Sequence, residues 1–136
     1  MIRPICKDIM RLSQKSAPAT PGDAPVIGDL KDTLAAHLDG CVGMAGNMVG
    51  ISKRVIAVSV GPAILVMVNP EIVKKSGPYE TEEGCLSLTG TRKARRWQTV
   101  EVEWLDEAFL PHRQLFSGWT AQIIQHEVDH CDGILI

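Results

Sequence analysis

WTAQIIQHEVDH, Trp119 to His130, is the stretch on which the reading of this chain turns. It reads as a helix, with Ser117 placed to cap its N-terminus. Residues four apart on a helix stand on one face. His126 and His130 can therefore direct two ring nitrogens at one ion, at about 2.0–2.1 Å each for zinc. Glu127 stands about 100° round the helix from His126, within reach of a water on the ion's open side. An amphipathic helix whose histidines merely fall four apart is the plainer alternative. The intact His-Glu-x-x-His pattern, holding two of the chain's four histidines, favours the metal.

The chain around this helix has 136 residues, one domain's worth, long enough to bury a core without staples. It is 45% hydrophobic and 22% charged with a net charge of -2, a balance that gives no electrostatic case for nucleic acid or an anionic membrane as partner. No apolar run approaches the ~20 residues of a membrane span. The opening MIRPICKDIM has no apolar h-region, and Asp8 argues against a transit peptide, so a cytoplasmic protein is expected. Cys6, Cys41, Cys85 and Cys131 form no CxxC pair and are expected as thiols or metal ligands rather than a disulfide framework.

Upstream of the metal helix, residues 5–14 are expected as a short helix, ended by the Pro-rich loop APATPGDAP. A second helix should start near Asp23 or Pro25 and run to about Asp39, with Ile27, Leu30, Leu34 and Leu38 on its apolar face. Residues 54–60 and 64–68 flank Gly61-Pro62 and read as a hairpin, whose second strand EIVKKSG could continue past Pro70. TVEVEWL (Thr99–Leu105) alternates strictly, and HRQLFSG can be its return strand. The expected class is α+β: a mainly antiparallel sheet packed around the C-terminal metal-binding helix, in a single domain over residues 1–136.

Two histidines leave a site incomplete. HEVDHCDGILI follows His-Glu-x-x-His-x-x-Gly, but Ile136 stands where a third histidine would complete it. The third ligand must come from upstream, where Cys85, Glu80, Glu82, Glu83, His37 and His112 are the candidates. A thiolate with two imidazoles makes an open, catalytic ligand set. For Cys85 taken alone, a small buried hydrophobe is the commoner role.

EGCLS (Glu83–Ser87) together with QHEVDH resembles the peptide deformylase family, and CVGMAGNMVG (Cys41–Gly50) stands where its third, Gly-rich motif belongs. The resemblance implies Cys85, His126 and His130 as metal ligands, with a water completing the set. It implies iron(II), for which zinc or another divalent ion substitutes. The implied substrate is the N-terminal formyl-methionine of nascent polypeptides, met in passing at the ribosome. Water made reactive by the metal would attack the formyl carbon, with Glu127 as general base. The backbone N–H of Leu86 would hold the oxyanion. Val42 and Gly43 would pair with the peptide backbone, where glycine permits close approach.

Ile123, one turn before His126, is the candidate wall for the methionine side chain, core packing being its other role. Arg92 matches a peptide-binding position but stands in TRKARR, which reads as a solvated charge run. Asp129 could pair with Arg96. Met48 replaces the glutamine that ends the family's first motif, removing an N–H donor, and Asn47 is the neighbouring amide that could stand in. Cys41 and Thr89 replace a usual glycine and proline, and the C-terminal extension many members carry is expected to be absent. These departures leave two alternatives: a related amidohydrolase for another N-acyl substrate, or a metal-binding protein with reduced or lost turnover.

Overall fold

Val55 to Val60 and the apolar run after Gly61 pair as a tight hairpin, Val55 opposite Val68 and Val60 opposite Ala63. The computed structural model, which describes residues 1–85 and 87–136, builds outward from this pair. Five antiparallel strands lie side by side in chain order: β1 (Gly43–Ala45), β2 (Val55–Val60), β3 (Ala63–Cys85), β4 (Leu88–Leu105) and β5 (Pro111–Ser117). Helix α1 spans Ile9–Leu12, α2 spans Ala24–Ala36, and α3 (Gly118–Cys131) packs against β1, β2 and β4. Ile56, Met67, Val100 and Val102 from the sheet meet Leu30 and Leu34 of α2 and Ile124 of α3 in one buried core.

The strands run much further than their apolar patterns. β3 continues past Pro70 as expected and ends only at Cys85, 23 residues long. Pro70 has no N–H to give the ladder, and the register shifts between Val68 and Glu71. Asn69 takes the positive φ of 51° at this irregularity, a conformation asparagine tolerates. Its amide donates to the Ala19 carbonyl and accepts from the Ala19 N–H, tying the Pro-rich loop to the sheet.

TRKARR, expected as a solvated charge run, is part of strand β4. The register sets Glu80 opposite Arg95 and Glu82 opposite Lys93, an opposite-charge arrangement in a strand that no apolar alternation announces. Within the run Ala94 and Arg96 are buried while Lys93 and Arg95 are exposed, the period of two that a strand imposes.

Helices α1 and α2 are shorter than expected. α1 is a single turn capped by the Asp8 carboxylate, which accepts from the Met10 N–H. α2 stops at Ala36, so Leu38 leaves the apolar face and stands 46% exposed. Ser117 does occupy the N-cap of α3 with extended backbone, but its side chain makes no capping bond. At the other end Gly133, at φ 76°, closes the helix: Gly133 N–H donates to His130 and Ile134 N–H to Asp129, satisfying two carbonyls. An added Cβ there would lie 2.5 Å from the Ser13 carbonyl oxygen.

Candidate metal centre

The face of β3 that carries Tyr79, Thr81, Glu83 and Cys85 is set by alternation, and α3 brings Gln122, His126 and His130 against it by its four-residue step. The ligand atoms of Cys85, His126 and His130 all lie within 4.8 Å of one another. Cys85 Sγ is 3.3 Å from His130 Nε2, which is 3.1 Å from His126 Nε2. Two imidazoles on a tetrahedral zinc stand about 3.3 Å apart and a thiolate and imidazole about 3.6 Å. The donor set fits a divalent ion in both chemistry and spacing.

Glu83 is the feature that reading by motif leaves out. It was a candidate ligand; the structure gives its carboxylate to the other ring nitrogen of His126, at 2.8 Å from Nδ1. An ionised carboxylate only accepts, so Nδ1 carries the proton and Nε2 is left for the metal. Arg96 grips the same carboxylate through Nε and Nη2 and reaches Asp129 with Nη1 at 2.7 Å, the expected Asp129–Arg96 pair. Burial alone would raise the Glu83 carboxyl, but the bonds from His126 and Arg96 outweigh it and hold it down at about 2. The signal was present: Glu83 precedes Cys85 by two, the spacing that puts both on one face of a strand.

Burial pushes the Glu127 carboxyl up to about 7, against the pull of the neighbouring His126 charge. Its Oε1 has no hydrogen-bond partner among the described residues. Burial also opposes charge on His126, yet its contacts with Cys85 and Glu83 raise it to about 10 in the metal-free chain, while burial and the His126 charge lower His130 to about 3. The other candidate ligands lie elsewhere. His37 Nδ1 meets the Thr33 carbonyl, and His112 stacks on Trp104 beside Asp106.

A cleft of about 650 Å³ opens onto this centre. Ile123, Val42 and Gly43, the candidate substrate residues, line it together with Trp119, Met48 and Gln122. Gly43 is required by α3 as much as by any peptide: a Cβ there would stand 2.6 Å from Ile123 Cγ2 and 2.9 Å from Glu127 Oε2. Among the described residues β1 pairs with β2 alone, and Gly43 at its start lines the cleft. Cys41 also lines the cleft, its thiol donating to the Gly43 carbonyl and pushed up to about 11 by burial.

Asn47 is a correction. Its amide nitrogen donates to the His130 carbonyl at 2.7 Å and to the Leu12 carbonyl at 3.4 Å, so both N–H groups are engaged in bracing the helix and neither is left for a substrate oxygen. Met48 is buried beside it, its sulfur 3.4 Å from the Ala45 N–H. Arg92 is half-buried, with Nη1 3.4 Å from the Thr89 carbonyl. Leu86, the expected oxyanion donor, lies outside the described residues.

A family model described as polypeptide deformylase matches residues 2–136. The peptide deformylase of Clostridium beijerinckii is 57% identical over 136 residues, the whole of either chain. That of Pelotomaculum thermopropionicum is 39% identical over 129 residues, 92% of this chain and 83% of the relative. Among solved structures, the Met-Ala-Ser-bound class I type b peptide deformylase of Acinetobacter baumannii matches with a TM-score of 0.88 at 32% identity, covering 99% of this chain and 97% of that one. End to end, in sequence and in the path of its strands and helices, this chain belongs to the polypeptide deformylase family.

Proposed function

We propose that Cys85, His126 and His130 hold the metal of this deformylase and that Glu127 is its general base. The reaction removes the formyl group from the N-terminal methionine of nascent peptides, a hydrolysis of a linear amide. One observation carries the assignment of residues: three ligand atoms converge within 4.8 Å, beside a buried carboxylate oxygen with no partner among the described residues.

A divalent ion in this site supplies a Lewis acid for the formyl oxygen and lowers the pKa of nearby water. Everything else falls to the chain. Glu127, raised to about 7, is poised to take the proton of the attacking water at neutral pH. As the C–N bond breaks, the same carboxyl returns the proton to the leaving amine nitrogen, giving formate and a free N-terminus. The backbone N–H of Leu86 donates to the oxyanion.

Val42 and the first residue of β1, Gly43, pair with the peptide, and Ile123 with Trp119 walls the first side chain. The Met-Ala-Ser peptide bound in the Acinetobacter baumannii structure has the form of a deformylation product, which supports a peptide as the ligand. Iron(II) is the proposed ion in the cell, with zinc able to replace it, since one thiolate with two imidazoles suits either. We read the whole chain as one cytoplasmic domain that meets the ribosome only transiently. No helix among the described residues is long and apolar enough to cross a membrane.

The test is formate release from a short formyl-methionyl peptide, using protein prepared without oxygen and loaded with iron(II). Glu127→Ala should lower kcat by about 10²–10⁴ and leave the metal bound. Loss of metal in that variant would mean that Glu127 is misassigned. Met48→Gln supplies the absent donor and should raise kcat by about tenfold or more, since such donors are worth ~10²–10³ and part is spent burying the amide. No gain would show that another group already serves the oxyanion.

A further inference from the structure

Gln122 and His126 stand four apart on α3 and grip the two oxygens of one carboxylate. Gln122 Nε2 donates to Glu83 Oε2 at 2.9 Å, while His126 Nδ1 donates to Oε1 at 2.8 Å. Behind Gln122, the Tyr79 hydroxyl donates to its amide oxygen at 3.2 Å. Tyr79 lies on β3 four residues before Glu83, on the same face. The stem of Gln122 meanwhile lines the cleft.

We propose that Gln122, held by Tyr79, is a positioning residue for the metal centre: it fixes the rotation of the Glu83 carboxylate and through it the ring of His126. Arg96 holds the same carboxylate from β4, with Nη2 2.6 Å from Oε1 and Nε shared between Oε1 at 3.1 Å and Oε2 at 2.9 Å. Gln122 adds a bond to Oε2 from α3 itself, so the carboxylate is tied at both oxygens to the helix that carries His126. A ligating imidazole whose outer partner is loosened typically loses ~10- to 100-fold in metal affinity. One bond further out, the effect should fall at the low end of that range. Tyr79 acts only through Gln122, so its contribution should disappear once Gln122 is gone.

The experiment measures cobalt(II) affinity by chelator competition, together with the visible absorption of the cobalt-loaded protein and the thermal midpoint of the metal-free protein. Gln122→Met keeps an unbranched wall of similar length and drops both polar contacts. It should weaken cobalt binding about tenfold and shift the cobalt spectrum, with the metal-free midpoint little changed. Tyr79→Phe should weaken binding about threefold in the same direction. The double variant should bind no worse than Gln122→Met alone, because both changes act on one carboxylate.

Unchanged affinity in Gln122→Met would overturn the proposal, as would additive losses in the double variant. A fall in the midpoint with unchanged affinity in the folded protein would make the chain of bonds merely structural, also overturning it. The proposal rests on Cys85, His126 and His130 as ligands. That assignment fails separately, if wild-type protein binds no cobalt.

Discussion

The two halves of the β3–β4 hairpin are one continuous ladder with opposite chemistry. In the outer half, Val66, Met67 and Val68 of β3 and Val100 and Val102 of β4 are buried, and the strand holds by excluding water. In the inner half, from Tyr79 to Cys85 and Leu88 to Arg96, the buried side chains include Glu83 and Arg96, and the strand holds by pairing charge. The outer half is a scaffold that any apolar set of the right volume could supply. The inner half carries Cys85 and holds His126 through Glu83, both proposed as metal ligands, which needs carboxylate and guanidinium in one geometry. The difference shows where function has displaced packing within a single pair of strands.

Breaking the inner half should have the largest effect. Arg96→Met leaves Glu83 buried without its main counter-charge, and should destabilise the fold by about 3–5 kcal/mol. Metal affinity should fall with it, by chelator competition on the folded protein. Retention of full affinity would show that His126 is aimed without Glu83.

Acid should reach the same pair in the metal-free protein. Glu83 is held at about 2 against an ordinary 4.5, so its contribution is present above pH 4.5 and is lost as pH falls toward 2. The full shift is worth about 3 kcal/mol. Urea midpoints should decline through that window in the wild type and decline less in Glu83→Gln. Parallel declines would assign the acid sensitivity to other carboxylates.

Met67→Ala sharpens the comparison from the other side. It should cost about 2–5 kcal/mol in urea unfolding by opening a cavity, with metal affinity of the folded protein unchanged. A change in affinity would mean that the halves are coupled. The smallest effect is expected at Glu82, exposed opposite Lys93: Glu82→Gln should change stability by less than about 1 kcal/mol and leave the metal alone.

Local pattern was enough for the β2–β3 turn, for the strict alternation of Thr99–Leu105 and for the face of α3 on which His126 and His130 stand, because each follows from a period within a few residues. The same short range made His126, His130 and Glu127 legible as candidate chemistry, their spacing being the motif itself, whereas Cys85 was singled out only by the resemblance that EGCLS carries. The inner hairpin could not be seen that way. Its strands set Glu80 opposite Arg95 and Glu82 opposite Lys93, so each segment alone shows charge rather than apolar alternation. Asn47 was equally out of reach, since its amide meets His130, 83 residues away. So were the roles of Glu83, Gln122 and Tyr79, which exist only where α3 lies on β3. The residues and periods of the chain determined the chemistry available. Which carboxylate holds the His126 ring, which buried carboxylate oxygen has no partner among the described residues and which amide is spent on bracing were decided by tertiary packing, because each depends on segments far apart in sequence.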